Sequence, residues 1–178
     1  QWNSNNFDFS CCNYVKQAYE AQKYAFVSDY VRLAVLYKYG GVYFDTDVEV
    51  ISSFDEFLNQ EAFCGFESEG RLGTCVLGSV PNNIIIKKFL DHYNNLQFIK
   101  DNGEFDLTPN PVPITNICIE NGMKPDDTIQ YLHSITIYPR TYFCPINPFS
   151  KGDFYSVNTV SVHHFSGAWL DNKMQNRI

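Results

Sequence analysis

The sequence lacks the features that mark exported, membrane-spanning and zinc-finger chains. No window approaches the roughly 20 apolar residues of a membrane-spanning helix, and no signal peptide, repeat or Asn-x-Ser/Thr acceptor is present. The six cysteines include no C-x-x-C pair. Cys64 and Cys75 could be bridged in principle, but several cysteines lie in apolar runs, which favours buried free thiols. These absences predict a cytoplasmic protein, free or peripheral to the inner face of the membrane.

Basic residues are also scarce. Lys and Arg number 13 against 20 Asp and Glu, which gives a net charge of −7 and a pI of about 4.9. An acidic surface argues against a nucleic-acid partner. It does not argue against a nucleotide-sugar, whose charge a metal ion can neutralise. With 178 residues, 44% of them hydrophobic, the chain suits a single domain over 1–178 with a sizeable core.

The most informative stretch is residues 24–50, which read YAFVSDYVRLAVLYKYGGVYFDTDVEV. The pattern predicts a helix, a double-glycine stop and a short apolar strand that ends in Asp45 and Asp47. In an extended chain, side chains two residues apart lie on one side of the strand. Because the pair follows the apolar run 42–44, we expect it at the carboxyl end of a buried strand, where open α/β sheets bind ligands.

The chemistry of two neighbouring carboxylates points to a metal ion. They repel each other unless a cation lies between them or one takes a proton. Oxygen ligands suit Mg²⁺ or Mn²⁺, and such an ion usually completes its shell with water and substrate phosphates. Asp-Thr-Asp alone is a weak signal, because many such triplets are solvated turns. Its position after a long helix and a strand favours a metal–diphosphate site.

The helix carries a second polar pair. Asp29 and Arg32 are spaced i, i+3 and share a face. On an exposed helix they would form an ion pair worth well under ~1 kcal/mol. The residues around them are almost all apolar, which indicates a largely buried helix. A charge pair in such a helix suggests a function.

The combined pattern resembles a known enzyme family. Ser28-Asp29-x-x-Arg32, followed by Gly40-Gly41-x-Tyr43-x-Asp45-x-Asp47, is similar to the signature of glycosyltransferases with a DXD motif. The resemblance is to family 32, which includes capsular-polysaccharide and Och1-like sugar transferases, and the pattern is also similar to the large clostridial toxin glucosyltransferases. The resemblance implies an α/β fold, a single GT-A-like (Rossmann-like) domain with a mixed, mainly parallel sheet.

Departures from the family accompany the match. The first βαβ unit of the family, which supplies much of the base pocket, is absent from the printed sequence, so we expect either a truncated domain or a base pocket that is built differently. The exposed sheet edge could then pair with a second copy, as a homodimer. The segment 108–122 resembles a family segment in which Asn110 replaces a glycine.

The carboxyl-terminal motif supplies further candidates. Residues 163–169, HHFSGAW, resemble the family ending His-His-x-x-Gly-Ser-Trp, with Ala168 in place of the serine. By this resemblance, His164 completes the metal or diphosphate shell and Trp169 stacks near the diphosphate or sugar. Adjacent strand residues face opposite ways, so only one of His163 and His164 can face the site, and His163 is nearly as good a candidate.

The resemblance also implies roles and partners. Asp47 is the direct metal ligand, Asp45 reaches the ribose or a metal-bound water, and Tyr43 lines the donor site. Asp29 and Arg32 hold hydroxyl groups of the donor sugar. The expected activity is hexose transfer with retention, dependent on Mn²⁺ or Mg²⁺, from a nucleotide-sugar (a UDP-hexose rather than GDP-mannose) to a saccharide acceptor. Bacterial polysaccharide synthesis is the expected setting, and a host-directed toxin is an alternative.

Two other classes stay open. A phosphatase of the haloacid dehalogenase type shares an Asp-x-Asp strand end, but Glu49 occupies the position of its Thr or Val. A degenerate, non-catalytic module that binds nucleotide or carbohydrate is the stronger alternative, because the first βαβ unit is missing.

Cap and turn signals predict the remaining elements. Ser10 is the expected N-cap of a helix through about residue 22, and Gly40 ends the long helix. Strands are expected at 62–66, 74–77, 135–138 and from 159, a short helix at 53–58, longer helices from 81–83 and 113, a polar turn at 67–73 and a flexible loop at 100–111.

Overall fold

The computed structural model describes residues 2–147 and 152–166. Its elements in chain order are α1 (Asn13–Glu20), α2 (Tyr24–Tyr39), β1 (Gly41–Phe44), β2 (Val48–Val50), β3 (Ala62–Ser68), β4 (Arg71–Ser79), α3 (Ile84–Tyr93), α4 (Pro111–Glu120), β5 (Gln130–Leu132), β6 (Ile135–Tyr138), α5 (Arg140–Phe143) and β7 (Ser161–His163), with a single 3₁₀ turn at Asp55–Phe57. None of the helices in these ranges combines the length and the apolarity that crossing a membrane requires.

The five-stranded sheet has the order β1-β4-β3-β6-β5. The predicted mixed α/β class is confirmed, because β3 and β6 are parallel while the other pairs are antiparallel. The predicted excess of parallel pairs is wrong for the described strands. β3 and β4 are joined by a turn at Gly70 that is too short for the crossover a parallel pair needs. The parallel strands β3 and β6 are instead connected through β4, α3, α4 and β5, which is long enough for a crossover.

β1 lies at one edge of this sheet, and its side chains are only partly buried. The buried strand predicted before Asp45 is therefore an edge strand within the described part of the chain. Its short length, and the helix α2 that runs directly into it, explain this position. Pairing of this edge with a second copy stays a prediction.

The helix α2 ends where the sequence predicts. Gly40 follows its last residue with φ of +69°, a conformation that glycine adopts without strain. A Cβ atom at this position would lie 2.7 Å from Cδ of Pro81. Gly40 therefore ends α2, and its lack of a side chain allows Pro81 to approach closely at the start of β1.

The predicted cap of α1 is wrong. α1 begins at Asn13, with Cys12 at the N-cap position and no side-chain cap. The hydroxyl group of Ser10 instead donates to Oδ1 of Asp8 at 2.6 Å. Serine and aspartate compete for such local bonds, and here the Asx turn takes the serine that the helix could have used.

Two apolar clusters surround the sheet. The larger one packs the helices on one face, with Leu33, Ile86 and Phe89 fully buried. The smaller one is aromatic and lies on the other face, centred on Phe57, Phe63 and Phe143. All six cysteines are free, as predicted. The aromatic cluster includes Cys75 and Cys144, which lie behind the candidate site.

The small second sheet pairs β2 with β7 antiparallel. Val48 lies opposite His163, which is 115 positions later in the sequence. This pairing fixes the carboxyl-terminal motif beside the two aspartates. Backbone hydrogen bonds between β2 and β7 therefore bring together two parts of the predicted site that are far apart in the sequence.

Candidate active site

The predicted carboxylate pair is brought together with one histidine. Ligand atoms of Asp45, Asp47 and His163 all lie within 4.8 Å of one another. Nε2 of His163 is 3.2 Å from Oδ1 of Asp47. The backbone between the aspartates is not an extended strand as predicted but a turn, in which the amide of Val48 donates to the carbonyl of Asp45 at 3.0 Å. The turn still places both carboxylates on the same site.

Asp47 is held by the segment after β7. Its backbone carbonyl accepts from the amide of His164 at 3.0 Å. Its Oδ2 atom accepts from both the amide and the hydroxyl group of Ser166 at 2.9 Å. Although burial opposes it, this pair of hydrogen bonds, together with His163, keeps the pKa of Asp47 below its ordinary value. Asp47 is therefore an ionised carboxylate with one oxygen facing His163.

His164 does not face the carboxylates. Its Nε2 atom lies 3.0 Å from Oε2 of Glu49, and 48% of its side chain is exposed, against 12% for His163. The antiparallel register of β2 and β7 decides between the two, because adjacent residues point to opposite faces. The geometry favours His163 over the preferred His164. Trp169 and Ala168 lie outside the described residues.

Arg32 connects the helix pair to the strand-end pair. Its guanidinium lies 2.8 Å from Oδ1 of Asp29 and 3.1 Å from Oδ1 of Asp45. It also donates to the backbone carbonyl of Thr74 at 2.9 Å and stacks on the ring of Tyr43, 4.4 Å from its centroid. Arg32 is 7% exposed. The two pairs that the sequence places 13 or more residues apart thus form one buried network.

Tyr43 completes this network from β1. Its hydroxyl group donates to Oδ1 of Asp45 at 2.7 Å. Oδ1 of Asp45 therefore receives both a phenol hydrogen bond and the Arg32 ion pair. Within the described ranges 2–147 and 152–166, the second oxygen of Asp45 has no hydrogen-bond or ion-pair partner, so it can bind another ligand.

The network changes the protonation of its members. Burial raises the pKa of Asp29 to about 6, although Arg32 lowers it, and the neighbouring charge of Asp45 adds to the rise. For Arg32, burial would lower the pKa, but Asp29 and Asp45 raise it above its ordinary value. Arg32 is thus a permanent cation between two carboxylates, and its charge makes the close approach of Asp29 and Asp45 possible.

Two buried thiols lie behind His163. Sγ of Cys75 is 3.1 Å from Sγ of Cys144, and both residues are buried. Burial alone would lower the pKa of His163, but the adjacent thiol of Cys75 and the carboxylates of Asp47 and Asp45 raise it to about 9. Nδ1 of His163 is buried without a well-formed hydrogen bond. The imidazole therefore carries a positive charge toward the aspartates while no metal is bound.

The donor set fits a divalent cation. Asp45 and Asp47 offer hard oxygen atoms, and His163 offers a nitrogen atom within the same small volume. Mn²⁺ accepts both kinds of ligand, while Mg²⁺ prefers oxygen alone. A cation here would replace the charge that the protonated His163 supplies.

Sequence reasoning missed several residues of the site. In the sequence, Ser166 is an unassigned position of the terminal motif, Thr74 and Cys75 belong to a predicted strand, and Glu67 belongs to the predicted polar turn at 67–73. Only Ser166 lies in a motif that could have drawn attention to it. Thr74 and Cys75 reach the site because β4 pairs with β1, and the amide of Asp45 donates to the carbonyl of Cys75 at 2.8 Å. Glu67 lies on β3, which pairs with the other side of β4.

Comparison with known proteins agrees with this geometry. Residues 3–64 match a family described as glycosyltransferase sugar-binding region containing DXD motif. The chain is similar to DXD glycosyltransferases. The matched range contains Asp29, Arg32, Asp45 and Asp47, and it ends before His163.

A curated human protein is also similar. The chain is 31% identical over 91 residues to human alpha-1,4-N-acetylglucosaminyltransferase. The aligned region covers 49% of this chain and 26% of that protein. The chain thus spans about a quarter of the length of this relative. No solved structure matches the chain significantly. Together the matches support a glycosyltransferase of the DXD type, while the relation to family 32 and to the clostridial toxins stays a prediction.

Proposed function

We propose that this chain carries the donor site of a metal-dependent glycosyltransferase, which transfers a hexose or an N-acetylhexosamine from a nucleotide-sugar to a saccharide hydroxyl group. The observation that supports it most is the meeting of Asp45, Asp47 and His163 at one point, next to the buried Arg32 network. An exposed, unconnected Asp-Thr-Asp turn would not show this arrangement. The family match over residues 3–64 supports the same activity class.

Asp47 and His163 are the proposed direct ligands of Mn²⁺ or Mg²⁺, and Asp45 binds through its free oxygen or through a water molecule. His163 replaces His164 in this role because of the register of β2 and β7. When bound, the ion would stabilise the negative charge that gathers on the departing diphosphate. Ser166 holds Asp47 in its ligand orientation through two hydrogen bonds.

Asp29 and Arg32 are proposed to hold hydroxyl groups of the donor sugar. The largely buried carboxyl group of Asp29 lies at the helix side of the network, beside Asn110, which lowers its pKa against the effect of burial. A fixed Arg32 cation and a neighbouring carboxyl group can bind adjacent hydroxyl groups and so position the anomeric carbon. Tyr43 positions Asp45 rather than the sugar in this scheme.

The transfer itself is proposed to retain the anomeric configuration. The acceptor oxygen forms a bond to the anomeric carbon, the bond from that carbon to the diphosphate oxygen breaks with its electron pair going to the diphosphate, and the acceptor proton passes to the departing diphosphate. UDP-hexoses are favoured as donors, and the name of the human relative adds N-acetylglucosamine to the candidate sugars. The bacterial setting and the cytoplasmic location stay predictions of the sequence.

Calorimetric titration of UDP and GDP, with and without Mn²⁺, tests the proposal. We expect metal-dependent binding of UDP, and slow hydrolysis of UDP-glucose or UDP-N-acetylglucosamine when Mn²⁺ is added. Binding without any hydrolysis or transfer would support the non-catalytic module instead. No binding of either nucleotide would contradict a donor site in this chain.

A further inference from the structure

Two cysteine thiols and His163 form a second group of potential metal ligands, to which the proposed function assigns no role. Sγ of Cys75, Sγ of Cys144 and a ring nitrogen of His163 all lie within 4.8 Å of one another. The two sulfur atoms are 3.1 Å apart. Cys75 belongs to β4, Cys144 directly follows α5 and His163 ends β7, so only the folded chain brings the three together.

The backbone holds the three side chains in place. The hydroxyl group of Ser161, the first residue of β7, donates to the carbonyl of Phe143 at 3.3 Å, one residue before Cys144. The carbonyl of Cys75 accepts from the amide of Asp45 at 2.8 Å. Two sulfur atoms on one tetrahedral zinc ion lie about 3.8 Å apart, given Zn–S bonds of about 2.3 Å. Small side-chain shifts would therefore be enough to close these ligands around an ion.

The chemistry of this group differs from that of the carboxylate site. Thiolate sulfur selects soft or borderline ions such as Zn²⁺, whereas Mg²⁺ and Mn²⁺ prefer oxygen. Two thiolates and a neutral imidazole around a divalent ion give no net charge, which suits a buried position. Three protein ligands leave the fourth tetrahedral position to a water molecule or to a carboxylate oxygen.

The two ring nitrogens of His163 face different surroundings. Nε2 lies 3.2 Å from Oδ1 of Asp47. In the part of the chain that the structure describes, no well-formed hydrogen bond reaches the buried Nδ1 atom. A metal ion takes the lone pair of one ring nitrogen, and the neutral ring then keeps its proton on the other. An ion on Nδ1 therefore leaves a proton on Nε2, which donates it to Asp47 and cannot bind a second metal ion.

A purely structural role explains only part of this arrangement. Cys75 and Cys144 belong to the aromatic cluster, and buried cysteines often serve as small apolar side chains. Cys64 and Cys118 do so in the larger cluster, and among the described residues they join no group of ligands. Packing of the thiols does not supply a partner for the buried Nδ1 of His163, whereas an ion between the sulfur atoms does.

We propose that Cys75, Cys144 and Nδ1 of His163 bind Zn²⁺, and that the bound ion weakens the binding of Mn²⁺ at the neighbouring carboxylates. Binding releases the protons of the two thiols and of Nδ1 to water, while Nε2 keeps its own. The thiol site stands on its own geometry, and only the effect on Mn²⁺ rests on the proposed function. Zinc would thus act as an inhibitor that removes one ligand of the carboxylate site by fixing its tautomer.

The test uses the full chain with Cys11 and Cys12 replaced by serine, because these neighbouring thiols near the surface could also take the ion. This parent protein is compared with Cys144→Ala and, in case that variant fails to fold, with Cys75→Ala. Cys118→Ala, which removes a buried thiol from the larger cluster, is the matched control. Each metal-free protein is titrated with Co²⁺, whose charge-transfer absorption reports thiolate ligands, and then with Zn²⁺, which displaces it.

We expect one Co²⁺ per chain with strong charge-transfer absorption in the parent and in Cys118→Ala. Loss of a direct ligand should weaken this binding by roughly 100-fold or more in Cys144→Ala and Cys75→Ala. In ¹⁵N-labelled parent protein with Zn²⁺, His163 should carry its proton on Nε2 and the ion on Nδ1. One equivalent of Zn²⁺ should lower the calorimetric affinity for UDP with Mn²⁺ by roughly tenfold in the parent, and should leave it unchanged in Cys144→Ala.

Several results would overturn the inference. The parent could show no charge-transfer absorption, or Cys144→Ala could keep it. Two thiols that react only after reduction would show a disulfide between Cys75 and Cys144 in place of a metal site. An equal effect of Zn²⁺ on UDP binding in the parent and in Cys144→Ala would place zinc at the carboxylates. A parent that binds Co²⁺ through its thiols but binds no UDP would instead overturn the proposed function and leave the thiol site standing.

Discussion

Replacement of Arg32 by methionine tests the buried network most directly. The guanidinium is the shared partner of two carboxylates, at 2.8 Å from Asp29 and 3.1 Å from Asp45, and it is nearly inaccessible to water. Removal of one partner from a buried ion pair costs about 3–5 kcal/mol, because a buried charge is left uncompensated. The carbonyl of Thr74 also loses its donor. We expect Arg32→Met to lower the unfolding free energy by about 3–5 kcal/mol, a large part of the ~5–15 kcal/mol of a typical domain.

Urea denaturation of wild type, Arg32→Met and two further variants measures this loss. The double variant Asp29→Asn/Arg32→Met removes a carboxylate together with its cation, so it should be more stable than Arg32→Met alone. Lys87→Met is the matched control, because Lys87 forms an exposed helical ion pair with Asp91. Its cost should stay below ~1 kcal/mol.

The same variant tests the proposed role in binding. At temperatures where it is folded, Arg32→Met should bind UDP with Mn²⁺ nearly as well as wild type and should bind UDP-sugars no better than UDP. A stability loss equal to that of Lys87→Met would refute the buried network. Equal affinities for UDP and UDP-sugar in wild type as well would refute the sugar contact.

Three further predictions use other parts of the structure. Asp47→Asn should abolish the Mn²⁺ dependence of UDP binding in calorimetry while the protein still folds, at a lower melting temperature because the ion pair with His163 is lost. Unchanged metal dependence would exclude Asp47 as a ligand. The pKa of His163 rises to about 9 in the folded, metal-free protein from 6.5, so its stabilising effect is full below pH 6.5 and is lost as the pH rises through 9. Urea midpoints of wild type should therefore fall more between pH 6.5 and 9 than those of His163→Gln. The same pH dependence of the midpoint in both proteins would contradict a raised pKa of His163. Asn83 accepts hydrogen bonds from the first amides of α3 and donates to the carbonyl of Ser134 at 2.9 Å. Asn83→Ala should cost about 1–2 kcal/mol in denaturation without changing UDP affinity, and a loss of affinity would show that the fold and the site are not independent.

The local parts of this protein were predictable from its sequence. The helix that ends at Gly40 and the strand at 135–138 follow from periodicity and stop signals, whereas the mixed α/β class came from the family resemblance. Asp29 and Arg32 meet because helix geometry brings residues three apart together. Each of these features depends on contacts within one element or one turn, which the order of residues fixes directly.

The pairing between distant segments needed the tertiary structure. His163 rather than His164 faces Asp47 because Val48 lies opposite His163, and a shift of one residue would exchange the two. Arg32 reaches Asp45, and Cys75 reaches His163, only because β1 pairs with β4 and packs beneath α2. The mainly parallel sheet that the resemblance implied was wrong for the described strands. Three of the four pairs in the five-stranded sheet are antiparallel, and the turn between β3 and β4 is short enough to make these two strands a hairpin.

Sequence by itself thus determined which chemical groups this protein has: two aspartates one residue apart, a helical Asp–Arg pair and a double histidine near the end of the chain. Tertiary structure alone decided which of these groups share a site and which other side chains lie next to them. The bulge that turns Glu67 over Gly73 leaves no mark in local composition. The reason is physical: spacing along one element is set by backbone geometry, whereas register and bulges are set by packing between elements far apart in the chain.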